Sequence, residues 1–273
     1  MPANDSRKSL IHRRPPPVAL TLAGSDPSGG AGQEADLKAF LRHGVYGLNL
    51  TTLLTVQNTR GVQAVAPLDP DFLERQWKAL FADFKPAVIK IGALGALPMV
   101  RRVAKLLDRP EARHIPLVLD PVLGSTSGSP LLAAEALKLF RTRLLPRSRI
   151  VTPNLPEFDA LFGPFPPEMS IEQRLRSLGK RPYAVLVKGG HAEGPESIDW
   201  LWENGRLLKL PGKRYPVGNI HGTGCTLAAT IAANLALGKS LRVACKNAKA
   251  FVAHGITTAP GLGQGSGPLN FIA

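Results

Sequence analysis

The sequence predicts an α/β fold, a mainly parallel sheet with helices on both faces, and three observations carry this. Short, near-continuous apolar runs at 18–23, 87–91, 116–119 and 184–187 alternate with amphipathic segments, as expected of strands buried on both faces. Hydrophobic residues make up 44% of the 273 positions, enough for one well-buried core. Polar clusters and glycines stand just past the strands, where ligands bind in such sheets.

Residues 1–17 carry Arg7, Lys8, Arg13 and Arg14, then three prolines, with no hydrophobic period. They read as a disordered basic extension ahead of a single domain over 18–273. The run 18–23 is the first strand, and the glycine-rich loop 24–32 follows it. A helix over 33–43 keeps Leu37, Phe40 and Leu41 on one side. Strands are expected at 48–56 and 62–66. Asp69 and Pro70 then open a helix to Phe84 in which Phe72, Leu73, Trp77, Leu80 and Phe81 recur at three- and four-residue spacing. A strand over 87–91, a helix over 98–107, a strand over 116–119 and a helix over 131–145 continue the alternation. Beyond them come a strand at 150–152, helices at 155–162 and 171–178, and a strand at 184–187. Asn204-Gly205 between 197–202 and 207–211 marks a hairpin, and helices over 223–237 and 241–256 close the chain.

Composition excludes several function classes. The longest apolar run falls short of the roughly 18 residues of a membrane span, and no signal-peptide pattern is present, so a cytoplasmic protein is expected. Cys225 and Cys245 lack ligand spacing, which leaves two reduced thiols and no zinc site. Lys plus Arg number 34 against 20 Asp plus Glu, a net charge of +14. These cations are scattered and lack interleaved aromatics, which argues against specific nucleic-acid binding and favours a solvated basic surface; the sign of the charge alone does not choose a partner.

The stretch His221-Gly-Thr-Gly-Cys225, before the apolar run 227–237, carries the clearest chemistry. Small residues ahead of a helix let backbone N–H groups approach an anion, and the helix dipole adds about half a positive charge. Cys225 falls in the first turn, where a thiolate is stabilised, and so can accept a proton. A tight turn before a buried helix, with Cys225 as a small packed residue, fits the same letters. Asp120, Asn154, Glu157 and Lys188 each follow a strand. Carboxylates there can hold Mg²⁺ directly or through water, and a lysine beside them binds phosphate oxygens. The loop Ser28-Gly-Gly-Ala-Gly32 lacks the Gly-x-Gly-x-x-Gly spacing of dinucleotide folds, and no Gly-Lys-Ser/Thr phosphate loop occurs.

Taken together, Ala23-Gly-Ser-Asp-Pro-Ser-Gly-Gly-Ala-Gly32, Ala35-Asp-Leu-Lys38, Gln57-Asn-Thr-Arg-Gly61, Lys90-Ile-Gly92, Leu119-Asp-Pro-Val122, Thr152-Pro-Asn-Leu-Pro-Glu157, Lys188-Gly-Gly-His191 and the 221–225 motif closely resemble the hydroxymethylpyrimidine/phosphomethylpyrimidine kinases of thiamin biosynthesis. The resemblance covers about 18–269. It implies the ribokinase-like three-layer α/β/α sandwich, a homodimer, ATP and Mg²⁺. Carried over by position, Gly24, Asp36, Gln57 and Val122 resemble the pyrimidine-binding residues. Asn154, Lys188 and Thr223 would meet the nucleotide phosphates, and Glu157 with Asp120 the metal. Gly222, Thr223 and Gly224 resemble the anion hole, Lys188 the lysine that neutralises the transferred phosphoryl group, and Cys225 the proton acceptor. The loop 124–127 lacks a lysine that many members carry, and Ala93 stands where some have methionine. Pyridoxal kinase and a non-catalytic binder of the same fold are the competing readings.

Overall fold

The computed structural model describes residues 15–124, 134–191, 196–215 and 220–272. Nearly all of the expected N-terminal extension, and Ser125–Ser127 of the lysine-less loop, lie outside the described residues. The elements run β1 (Val18–Ser25), α1 (Gly32–Arg42), β2 (Tyr46–Asn58), β3 (Gly61–Pro67), α2 (Pro70–Asp83), β4 (Val88–Ile91), α3 (Leu97–Leu107), β5 (Leu117–Leu119), α4 (Ala134–Leu139), β6 (Ile150–Val151), α5 (Leu155–Phe162), α6 (Ile171–Ser177), β7 (Ala184–Val187), β8 (Asp199–Glu203), β9 (Arg206–Leu210), α7 (Thr223–Ala236) and α8 (Leu241–Thr257). Nine strands form one sheet in the order β3-β2-β1-β4-β5-β6-β7-β8-β9. It is parallel from β2 to β7, with β3, β8 and β9 antiparallel at the edges.

Successive side chains along a strand point to opposite faces, and here each face has its own core. Leu20, Leu22, Ile89, Ile91, Leu117, Leu119, Val185 and Val187 pack with residues from α2, α3, α5 and α6. Ala19, Val88, Val118, Ile150, Ala184 and Leu186 pack instead against α1, α7 and α8. The result is the three-layer α/β/α arrangement that the sequence predicts. Small residues on the second face, such as Ala19 and Ala184 opposite Ala228, Ala229, Ala232 and Ala233, bring α7 close to the strands.

Local chemistry sets the boundaries. Asp69 caps α2 by accepting from Asp71 N at 2.9 Å, with Pro70 in the first turn. The β8–β9 hairpin turns at Asn204 and Gly205 with φ of 51° and 80°, the pair of left-handed residues that such a two-residue turn requires. Two elements differ from expectation. Of the segment expected as one helix over 131–145, residues 131–133 lie outside the described residues, Ala134–Leu139 is α-helical, and the chain continues as a π turn over Phe140–Leu144. Leu145 N donates to Phe140 O at 3.0 Å, and the wider turn lets Phe140, Leu144 and Leu145 all reach the core. The strand expected at 48–56 runs from Tyr46 to Asn58, because its pairing with β1 ends at Leu54 while that with β3 continues to Asn58.

The strand β1 is flanked by β2 on one side and β4 on the other, so the chain winds away in both directions from this point. A crevice opens there outside the carboxyl ends of the strands. The start of α7 overhangs it, since that helix packs on β1, β4 and β5.

Candidate active site

A cavity of about 760 Å³ lies at this switch point. Its polar floor follows from the period of the strands. The side chains of Val88, Val118, Ile150 and Leu186 face α7 and its neighbours; two residues further on, the same face carries Lys90, Asp120, Thr152 and Lys188. All but Thr152 line the cavity.

The roof is the start of α7. Its N-cap Gly222 has φ 83°, and a Cβ there would sit 1.8 Å from Gly30 O. Only glycine allows the two loops to touch in this way. The first N–H groups of the helix, on Thr223, Gly224 and Cys225, have no partner within it, and all three residues line the cavity.

Lys188 Nζ lies 3.0 Å from Asp120 Oδ1 and 3.7 Å from Glu157 Oε2. Thr152 Oγ1 donates to the same Asp120 oxygen at 3.1 Å. Burial pulls the ammonium down, but the two carboxylates outweigh it and hold Lys188 well above the usual lysine range. Burial raises Glu157, with the Asp120 charge adding to it and Lys188 opposing. Asn154 caps α5: its Oδ1 accepts from Glu157 N and its own N donates to Glu157 Oε2, each at 2.8 Å. Asn154 and Glu157 are thereby fixed on the cavity wall beside Lys188, with which Asn154 forms a parallel bridge. Among the described residues no three His, Cys, Asp or Glu side chains gather as a metal site. Two carboxylates lining one cavity beside a lysine fit Mg²⁺, which needs few protein ligands when phosphates and water supply the rest.

Two expectations are corrected. Asp36, expected among the pyrimidine contacts, is fully buried and does not line the cavity. Its Oδ2 accepts from Thr21 Oγ1 at 2.6 Å and from Lys90 Nζ at 2.8 Å. Thr21 and Lys90 are register partners on β1 and β4 and face α1 together, so Asp36 reaches the site only through Lys90. Burial alone would pull Lys90 down, yet Asp36 first, then Cys225 and Asp120, push it up to about 12. The second correction concerns Cys225, expected as a thiolate. Burial pushes its thiol up to about 11, Asp120 and Asp36 add to the rise, and Lys90 and the Gly32 N–H only partly oppose it. These surroundings favour the thiol over the thiolate.

Gly24, Gln57, Ala93 and Val122 also line the cavity. A Cβ on Gly24 would lie 2.5 Å from Leu53 Cδ1, so glycine keeps this wall open. Three residues that sequence reasoning assigned no part also stand here or beneath: Asp26, His221 and Lys90. Asp26 is only 3% exposed and folds the loop around its carboxylate, accepting from Ser28 N, Gly30 N and Ala31 N at 2.9, 3.1 and 2.8 Å. His221 Nε2 lies 2.9 Å from Asp26 Oδ2 and 2.7 Å from Gln57 Nε2. The signal available for Lys90 was one lysine in the otherwise apolar run Val88-Ile-Lys-Ile91. At its far end the cavity becomes an apolar slot of Leu210, Ile220, Leu227, Val252 and Ile256, rimmed by Lys213, Lys246 and Lys249.

Comparison with known proteins identifies the family. The sequence model of the phosphomethylpyrimidine kinase family matches residues 26–270. The hydroxymethylpyrimidine/phosphomethylpyrimidine kinase of Salmonella typhimurium is 41% identical over 259 residues, covering 92% of this chain and 96% of that protein. A solved pyridoxal kinase from Staphylococcus aureus in complex with ADP superposes with a TM-score of 0.83 at 30% identity, over 94% of this chain and 93% of that one. A solved phosphomethylpyrimidine kinase from Clostridium difficile gives 0.73 at 34%, over 86% and 97%. The matched span holds Asp26, Gln57, Lys90, Asp120, Glu157, Lys188, His221 and Cys225, and the chain belongs to the phosphomethylpyrimidine kinase family.

Proposed function

We propose that this kinase transfers the γ-phosphoryl group of ATP to the hydroxymethyl group of 4-amino-5-hydroxymethyl-2-methylpyrimidine, and then phosphorylates the monophosphate to the diphosphate, for thiamin diphosphate synthesis. The observation that carries the reading is the meeting in one cavity of the Gln57 wall, Cys225, the start of α7 and Lys188. Phosphoryl transfer asks for positioning and charge neutralisation more than covalent chemistry.

In this reading the pyrimidine lies against Gly24, Gln57 and Val122, with its hydroxymethyl arm toward Cys225. ATP lies along the apolar slot with its phosphates under the N–H groups of Gly222, Thr223 and Gly224 and beside Asn154. Lys188 exchanges its contacts with Asp120 and Glu157 for the transferred group, and those two carboxylates would hold Mg²⁺. The cation supplies neutralisation of polyphosphate charge. Cys225 takes the proton of the attacking hydroxyl, and Lys90 beneath it favours the thiolate that this requires. Residues 18–273 act as one kinase domain, as a homodimer in the cytoplasm. Two free thiols and the absence, among the described residues, of a helix long and apolar enough to cross a membrane support that location.

A second reading, pyridoxal phosphorylation, draws on the TM-score of 0.83 to the Staphylococcus aureus pyridoxal kinase. A mass-spectrometric assay with ATP, Mg²⁺ and a panel of the pyrimidine alcohol, its monophosphate, pyridoxal and ribose tests both. Product from both pyrimidines is expected. Product from pyridoxal alone favours the second reading, and product from ribose alone defeats both.

A further inference from the structure

One hydrogen-bond relay beside the proposed pyrimidine wall sets a direction that the family likeness leaves open. His221 Nε2 faces two groups at once, Asp26 Oδ2 at 2.9 Å and the end of the Gln57 amide at 2.7 Å. Glycine at position 30 leaves room for this ring, since a Cβ there would lie 2.9 Å from His221 Cδ2, and the His221 N–H donates to Gly267 O at 2.9 Å.

The three groups cannot be satisfied arbitrarily. A ring nitrogen either carries a hydrogen and donates or bears a lone pair and accepts. Asp26 can only accept, because its Oδ2 already receives the N–H groups of Gly30 and Ala31. Although burial works against it, the contacts with His221 and Ser28 hold this carboxyl far below the usual range. A bare Nε2 would set a lone pair against a carboxylate oxygen. The one hydrogen of a protonated Nε2 can be shared in a three-centre bond between Asp26 and a second acceptor, which Gln57 offers when its amide turns Oε1 to the ring. The two ends of the amide exchange by a half-turn of its last torsion.

We propose that Asp26 and His221 are positioning residues that lock the Gln57 amide with Oε1 toward His221 and its NH₂ toward the cavity, and that this polarity selects aminopyrimidines. The inference rests on the reading of Gln57 as the pyrimidine contact. So held, Gln57 donates to a ring nitrogen, while the second lone pair of Oε1 accepts from the adjacent exocyclic amine. A 4-oxo-pyrimidine presents the opposite order, a ring N–H beside a carbonyl, and meets donor with donor and acceptor with acceptor.

The test compares kcat/KM for 4-amino-5-hydroxymethyl-2-methylpyrimidine with that for its 4-oxo analogue. Wild-type enzyme is expected to favour the amino compound by roughly 10²-fold or more, since a site built around hydrogen bonds rejects mispaired analogues strongly. His221→Leu frees the amide and is expected to cut that preference at least about tenfold, with KM for ATP unchanged. Asp26 keeps its Ser28, Gly30 and Ala31 donors in this variant. His221→Gln, whose amide can still donate to Asp26, is expected to retain most of the preference. A preference unchanged in His221→Leu overturns the proposal. Nitrogen-15 NMR of the unliganded wild-type protein gives an independent reading without any variant: a protonated Nε2 on His221 is expected, and a bare one overturns the relay. Wild-type enzyme that turns over neither pyrimidine defeats the substrate reading, while the NMR result still decides the relay.

Discussion

Two lysines stand on the same face of the sheet at the carboxyl ends of parallel strands, and their surroundings divide their work. Lys90 and its partner Asp36 are both 0% exposed, with a bond of 2.8 Å between them. Lys188 is 16% exposed and shares itself between Asp120 and Glu157. A sealed pair cannot exchange partners, so Lys90 acts as a fixed charge under Cys225. A lysine open to the cavity and divided between two acids can release them when a stronger anion arrives.

The contrast is broken most directly at Lys90. Lys90→Met strands Asp36 in the core, and losing one partner of a buried pair costs about 3–5 kcal/mol. Urea denaturation should show that loss, and the double variant Lys90→Met/Asp36→Leu should recover most of it. A single-variant cost below about 1 kcal/mol would show that the pair is not sealed at all. Between the two lysines lies Cys225, for which Cys225→Ala should lower kcat by roughly 10²- to 10⁴-fold with ATP affinity nearly unchanged. Its thiol is pushed up to about 11, so the deprotonated fraction, and kcat/KM with it, should climb about tenfold per pH unit through the neutral and mildly alkaline range. Cys225→Asp should flatten that climb and keep more activity than the alanine; a flat wild-type profile would remove the thiol as base.

Lys188→Ala should lower kcat by about 10²- to 10³-fold, the usual loss for a group that meets developing charge. Its denaturation midpoint should stay close to that of wild type, because Lys188 lines the cavity and its removal opens the two acids to water. A variant that unfolds as readily as Lys90→Met would erase the distinction. Gln57→Ala stands outside both clusters and should weaken the pyrimidine by about 1–3 kcal/mol while sparing ATP, readable as separate KM values. Equal losses for both substrates would contradict its place on the pyrimidine wall. Smallest of all, Arg143→Ala breaks an ion pair with Asp108 whose side chains are 48% and 56% exposed, and should shift stability by less than about 1 kcal/mol.

Much of this was legible before any coordinates. Turn and cap signals mark the elements closely, because Asp69-Pro70 and Asn204-Gly205 act within a few residues of themselves. Where the outcome depended on distant partners, the letters were silent or misleading. Asp36 is placed against the pyrimidine by resemblance alone, and nothing local says that Lys90, 54 positions on, closes over it. Cys225 reads as a helix-start thiolate, yet burial and the charges of Asp120 and Asp36 outweigh the cation and the N–H beside it. The period of two did contain the answer for Lys90, Asp120 and Lys188, but only once it was known which face α7 covers.

The seam between Gly222 and Gly30 also bears on how the protein is made. The two backbones touch across 192 residues of chain (222 − 30), and at about 5–20 residues per second a ribosome needs roughly 10–40 s to cover that distance. Through that interval the loop after β1 waits without its counterpart, and contacts of such long sequence separation are slow to form even in the finished chain. Catalytic competence is therefore acquired late and all at once. A nascent chain that stops before α7 would contain Lys90, Asp120 and Lys188 and still have no roof over the phosphates.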